Sequence, residues 1–125
     1  MYSSGIDMIE VHRIEKLLVK SSGVIKRLFT EEEICSLGDL PFSFAQTVWV
    51  SRFFAMKEAV MKVCGMGWQD GVAWQDIELK KSEFPQVVNL RGKLKEFANA
   101  KKIKKIVAVS CCDKKLALSQ ALALS

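Results

Sequence analysis

The sequence predicts an α+β fold in which an antiparallel sheet packs on one long central helix. Three observations carry that expectation. Trp49, Phe53, Met56, Val60 and Val63 recur at steps of four, three, four and three, the spacing of one helix face. An N-terminal run from Ile6 to Val11 has the alternation of a strand, and beyond Gly71 the pattern changes from helical to alternating. At 125 residues, with 50% of them apolar, the chain suits one domain, residues 1–125, with a modest core.

Taken in order, the first strand puts Ile6, Met8 and Glu10 on one side and Asp7, Ile9 and Val11 on the other. Asp7 therefore shares a face with two branched aliphatics, where an ionised carboxylate needs a cation, a donor or open water. A strand-end aspartate that simply meets solvent is the plainer alternative. His12 to Val19 continues as an amphipathic helix with Ile14, Leu17 and Leu18 inside, and His12, the only histidine, reads as a junction residue. Val24 to Phe29 forms a further short helix. Thr30-Glu-Glu-Glu33 is a capping box in which Thr30 caps the next helix and Glu33 reaches back. Leu37 to Pro41 breaks the chain, and the central helix starts at Phe42 or Ser43.

On that helix Ser51, Ala55, Glu58 and Lys62 fall opposite the apolar stripe, and Gly65 and Gly67 end it where a left-handed cap or a close backbone approach is needed. Glu58 and Lys62, one turn apart, suit a surface ion pair as readily as a site. Ala73 to Leu79 and Gln86 to Leu90 read as a hairpin with Ser82 to Pro85 as its turn. Gly92 to Ala100 is a short helix buried through Leu94, Phe97 and Ala98, and Lys101, Lys102, Lys104 and Lys105 follow where cations complement the helix dipole. Ile106 to Cys111 and Leu116 to Leu124 form the last two strands, although the final run has helical propensity as well.

A net charge of +5 favours an acidic partner. Cys35, Cys64, Cys111 and Cys112 show no metal-ligand spacing, which suits reduced thiols in a cytoplasmic protein. The N-terminus has no secretory pattern. Arg52, Lys57, Glu58 and Lys62 interrupt the long helix, so no membrane span is expected.

Two segments together resemble the paired signature of the 4′-phosphopantetheinyl transferases, in their short, trimeric type. They are Gly5-Ile-Asp-Met-Ile-Glu-Val-His-Arg-Ile14 and Arg52-Phe-Phe-Ala-Met-Lys-Glu-Ala-Val-Met-Lys-Val-Cys-Gly-Met-Gly67, with Arg27 to Glu33 and Trp74 to Glu78 also similar. The resemblance implies transfer of the phosphopantetheine arm from coenzyme A to a serine of an acidic apo acyl carrier protein, releasing adenosine 3′,5′-bisphosphate, in fatty acid biosynthesis. It implies Mg2+ held by Asp7 and Glu58, two hard oxygen ligands that leave room for water and a phosphate. Lys62 matches a diphosphate lysine, and Gly65 and Gly67 let backbone N–H groups approach the phosphates. Asp7, Glu58 and Lys62 are then the catalytic set. Arg52 and Asp113 are assigned to the coenzyme, while Arg13, with Lys20 and Arg27, faces the carrier protein.

The family implies a homotrimer with active sites between protomers, and no membrane or nucleic acid partner. The chain departs from the family pattern in three stretches at the nucleotide end. Ser110-Cys-Cys-Asp113 puts an acid about where a histidine stands, Ser82-Glu83-Phe84-Pro85 replaces the usual hairpin turn, and Leu40 to Gln46 carries no basic residue. Gly65-Met66-Gly67 lacks a hydroxyl found near the phosphates in relatives. The competing readings are a degenerate relative that binds the carrier without transfer, and a small basic module that contacts nucleic acid or an acidic protein through the lysines at 101–105.

Overall fold

The computed structural model describes residues 2–21, 23–37, 44–80 and 83–125. Its elements are β1 (Tyr2–Glu10), α1 (Val11–Lys20), α2 (Val24–Leu28), α3 (Glu31–Leu37), α4 (Phe44–Cys64), β2 (Ile77–Glu78), β3 (Gln86–Val87), β4 (Asn89–Leu90), α5 (Gly92–Ala100), β5 (Lys105–Cys112) and β6 (Leu116–Leu124). Short 3-10 turns at Trp68–Asp70 and Trp74–Asp76 link α4 to β2. The main sheet is antiparallel, in the order β1-β6-β5-β3, and β2 and β4 pair separately.

The inner face of the sheet is narrow. Ala117, Ala121 and Ala123 of β6 and Ala108 of β5 are buried, and these small side chains let α4 lie close across the strands. The approach is tight at Gly5. A Cβ there would stand 2.7 Å from the Ala59 carbonyl oxygen, 3.1 Å from the Val63 nitrogen and 3.2 Å from the Lys62 Cβ. Glycine is required because the backbone of β1 meets the backbone of α4.

α4 is buried nearly all round. Ser51 and Ala55, expected on its wet side, are fully covered, and of that set only Glu58 and Lys62 reach open space. The helix is enclosed because α1 and α5 pack on it beside the sheet and Leu28, Glu33 and Trp74 close over Lys57, which is 1% exposed. Its ammonium is 2.7 Å from Glu33 Oε1 and donates to the carbonyls of Leu28 at 2.7 Å and Trp74 at 3.2 Å. Burial pulls the Lys57 pKa down and the neighbouring Glu33 carboxylate opposes that shift. Glu33 also forms the expected capping box. Its Oε1 accepts the Thr30 N–H at 2.9 Å while its own N–H donates to Thr30 Oγ1 at 3.2 Å, and its Oε2 accepts the Leu79 N–H at 3.1 Å.

Several expectations are corrected. Leu17 is at the surface, because α1 buries Val11, Ile14 and Leu18. Residues 73–79 do not form one strand. Asp76 accepts the Ala73 N–H on its carboxylate at 3.1 Å, which winds Trp74–Asp76 into a turn and leaves a strand of two residues. The partner segment is divided as well: Asn89–Leu90 pairs with β2, while Gln86–Val87 joins β5. The expected break at Leu37 to Pro41, the helix start at Phe42 or Ser43, and Ser82 of the hairpin turn lie wholly or partly outside the described residues. Leu116–Leu124 is a strand, held between β1 and β5 on both edges, so sheet pairing overrides its helical propensity.

Glu33→Ala leaves a buried ammonium without its carboxylate, a change that costs about 3–5 kcal/mol in comparable sites. Urea unfolding should show a loss of that size, and a loss under about 1 kcal/mol would contradict the structural role given to this pair.

Candidate active site

β1 delivers Asp7 to the cleft because its alternation turns Gly5, Asp7 and Ile9 inward while Ile6, Met8 and Glu10 face out. The Asp7 side chain is 16% exposed, which leaves it neither buried among aliphatics nor free in solvent. Lys62 supplies its counter-charge. The ammonium stands 2.9 Å from Asp7 Oδ1 and donates to the Ile6 carbonyl oxygen at 3.0 Å, so it bridges α4 to β1.

Glu58, one turn earlier on α4, lines the same cleft of about 450 Å3 together with Asp7, Arg13, Leu17, Phe54 and Lys62. Its pKa is raised, first by desolvation and then by the negative charge of Asp7, with Lys62 opposing. Two carboxylates, the Lys62 ammonium and the Arg13 guanidinium thus share a half-open cleft, with Lys62 paired to Asp7. Among the described residues no group of three or more histidine, cysteine, aspartate or glutamate side chains is suited to hold a metal. The donors present are two hard oxygen ligands on separate elements, a set that suits a cation retaining several waters and shared with a phosphate.

The far side of Glu58 and Lys62 opens into a second hollow of about 380 Å3, lined by Met61, the 65–67 turn and Trp68 to Asp70. Gly65 ends α4 with φ +71, and the N–H groups of Gly65 and Met66 close on the carbonyls of Lys62 at 3.1 Å and Met61 at 3.1 Å. This is the left-handed cap expected from the sequence. Gly67 differs: its φ of −140 is ordinary extended backbone, and a Cβ there would meet nothing within 4 Å. The open space beside Gly67 leaves the backbone accessible from the hollow.

The other residues singled out from the sequence lie elsewhere. Arg52 is six residues before Glu58, roughly 9 Å along the helix and turned by about 240°. Its Nε donates to Ser110 Oγ at 2.9 Å, and its guanidinium lies 4.5 Å from the Trp49 ring centroid. It borders a third hollow of about 170 Å3 with Trp49, Met56, Phe84 and Gln86. Asp113 is committed to the β5–β6 turn, where Oδ1 accepts the N–H groups of Lys115 at 2.7 Å and Leu116 at 2.8 Å. Those bonds hold its pKa below the ordinary carboxylate value. Within one chain, neither residue lines the Asp7–Glu58 cleft. Lys20 and Arg27 stand exposed in the last turns of α1 and α2, next to each other as packed helices, and His12 is exposed on α1.

Sequence spacing gave no sign of Phe54, which stacks on Trp74 with ring centroids 4.9 Å apart and forms a wall of the cleft. It also passed over Trp68, which is 62% exposed at the lip of the second hollow. Its position directly after a glycine turn was the available signal.

A family model described as the 4′-phosphopantetheinyl transferase superfamily matches residues 3–117. The holo-[acyl-carrier-protein] synthase of Caldanaerobacter subterraneus subsp. tengcongensis is 42% identical over 106 residues, covering 82% of this chain and 78% of that protein. Among solved structures, the Plasmodium yoelii acyl carrier protein synthase with ADP bound superposes with a TM-score of 0.85 at 29% identity, covering 98% of this chain and 96% of that one. A holo-(acyl-carrier-protein) synthase from Bacillus anthracis in complex with CoA (3′,5′-ADP) gives a TM-score of 0.75 at 27% identity, over 96% and 93% of the two chains.

The raised Glu58 pKa has a consequence for stability. The folded state holds this proton more tightly than the unfolded chain does. Stability is therefore lost as pH rises from the unfolded value through the raised folded one. Metal-free Glu58→Gln should melt above the parent protein at about pH 7 and level with it below about pH 4. A variant that melts lower at neutral pH would show that Glu58 is not under electrostatic strain.

Proposed function

Since the chain belongs to the 4′-phosphopantetheinyl transferase superfamily, we propose that it is a holo-[acyl-carrier-protein] synthase, which transfers 4′-phosphopantetheine from coenzyme A to a serine of apo acyl carrier protein. The observation that carries this reading is the meeting of Asp7, Glu58 and Lys62 in one cleft, in a chain that its synthase relatives match along most of its length. The proposed domain is residues 1–125, acting in the cytoplasm in support of fatty acid biosynthesis. No helix among the described residues is long and apolar enough to cross a membrane.

In the transfer, the serine oxygen forms a bond to the phosphorus that carries the pantetheine. The bond from that phosphorus to the bridging oxygen breaks, its electron pair leaves with adenosine 3′,5′-bisphosphate, and the hydroxyl proton passes to water. Asp7 and Glu58 would hold Mg2+, which supplies Lewis-acid relief of the negative charge on the diphosphate. Lys62 holds a charge where negative charge builds on the departing phosphate. Its pairing with Asp7 is one that a diphosphate can compete for, since the Lys62 side chain is 52% exposed. Arg13, at the rim of the same cleft, and the exposed Lys20 and Arg27 provide a basic approach for an acidic carrier, affecting association rate above all. The N–H groups of Gly65, Met66 and Gly67 are already bonded to the Lys62 and Met61 carbonyls and the Asp70 carboxylate, so this turn gives the phosphates room and not the free backbone donors expected from the sequence.

Arg52 and Asp113 fit this scheme through assembly. Because one chain does not bring them to the Asp7–Glu58 cleft, their role toward the coenzyme rests on a homotrimer with active sites between protomers. The outer face of the sheet supports such an assembly: Tyr2, Ile6 and Met8 of β1 and Leu116, Leu118 and Leu122 of β6 are exposed side by side. A contiguous apolar face of this kind favours burial against another chain.

Incubation with coenzyme A, Mg2+ and apo acyl carrier protein, followed by mass spectrometry of the carrier, should show the mass gain of one phosphopantetheine. Glu58→Gln should fold and lose at least about a hundredfold in rate, the scale on which a lost electrostatic contributor is felt. Unchanged transfer in that variant would overturn the metal assignment. No transfer by the parent protein would overturn the enzyme reading. Sedimentation equilibrium should give the mass of three chains, and a monomer at working concentration would remove the role given to Arg52 and Asp113.

A further inference from the structure

We propose that Trp68 is the platform on which the adenine base of coenzyme A stacks, an inference that rests on the transfer reaction above. Three observations lead to it. First, Trp68 is 62% exposed, yet it stands on a loop built to hold one shape. The Asp70 carboxylate accepts the Gly67 N–H at 2.9 Å, the Asp70 N–H returns to the Gly67 carbonyl at 2.9 Å, and the Gly71 N–H closes on the Trp68 carbonyl at 3.2 Å. Gly71 then turns the chain at φ +84, with the Lys93 side chain laid over it. A large apolar ring carried on a backbone that is already fixed is partly preorganised for a ligand, because the loop needs no further ordering on binding.

Second, Trp68 lines the hollow that has Glu58, Lys62, Gly65 and Gly67 on its other walls. Glu58 and Lys62 belong to both this hollow and the cleft that holds Asp7 and Arg13, so these two side chains mark a ridge between two binding volumes.

Third, the reaction assigns the two volumes to different partners. Attacking and leaving oxygens in phosphoryl transfer stand roughly in line across the transferred phosphorus. The carrier serine enters on the side of α1 and Arg13, so the leaving nucleotide departs on the opposite side of the ridge, toward Trp68. A nucleotide's base lies one ribose from its phosphate, and an aromatic ring at the rim of the phosphate-binding hollow is therefore within its reach. Stacking accepts a base without hydrogen-bond readout, which suits a side chain whose role is to hold the nucleotide half of the coenzyme.

The test combines kinetics, binding and assembly. Trp68→Ala should raise the KM for coenzyme A at least about fivefold with kcat little changed, and Trp68→Phe should stay within about threefold of the parent. Adenosine 3′,5′-bisphosphate should quench the tryptophan fluorescence of the parent protein, and Trp68→Ala should lose that quench. Ribose 3,5-bisphosphate, which lacks the base, should quench neither. An unchanged KM in a folded Trp68→Ala variant would overturn the proposal, as would a loss of assembly on sedimentation, which would make Trp68 a contact between chains. If the parent protein shows no transfer, the functional reading fails separately, and the fluorescence titration with the bisphosphate still decides whether Trp68 meets the base.

Discussion

The contact on which the site depends is the approach of β1 to α4 at Gly5. Side chains normally hold a strand away from the helix packed on it. Here a missing Cβ lets the two backbones come within contact distance of Ala59. Two residues further along β1, Asp7 then falls beside the helix turn that carries Glu58 and Lys62. The hydrogen bond from Lys62 to the Ile6 carbonyl stitches the same two elements together. Position, charge and backbone approach at this point form a single arrangement, and moving the strand outward by the width of a methyl group would separate the two acids.

The rest of α4 keeps that arrangement rigid. A helix enclosed on nearly every side cannot shift to relieve crowded charges, and the Lys57–Glu33 pair ties it to α2, α3 and the Trp74 turn through buried hydrogen bonds. The backbone position of Glu58 beside Asp7 is fixed for this reason. Stability is given up at the cleft and recovered in the packing around it, a pattern common where a site is prepared for a ligand that is itself charged. Burial at the end of the helix also pushes the Cys64 thiol up to about 11, so the nearest cysteine to the glycine turn stays protonated and takes no part in the chemistry.

Much of this was legible in the residues. Periodicity located α1, α4 and α5, the Thr30–Glu33 box was formed as written, and alternation in the first strand put Asp7 on its correct face. Where the reading fell short, nonlocal contacts decided the outcome. A wet side was assigned to α4 from its own periodicity, but Ser51 and Ala55 are covered by elements far away in the chain. The 73–79 segment alternates like a strand, but the Asp76 carboxylate captures a backbone N–H and winds a turn. Arg52 is close in sequence to Glu58 yet faces another hollow, because six residues on a helix do not return to the same face. Gly67 resembles a second conformational requirement, whereas its backbone is extended and only its open surroundings matter. The comparison with relatives fixes the family, and the physical arrangement explains how two distant acids can serve it.

The most direct measurement is Mn2+ binding, read by the electron paramagnetic resonance of the free ion, in the parent protein, Asp7→Asn, Glu58→Gln and the double variant. If the two carboxylates grip one cation, each single change removes most of the affinity and the double variant loses little more. Full Mn2+ affinity in either folded single variant, or losses that add independently, would contradict a shared site.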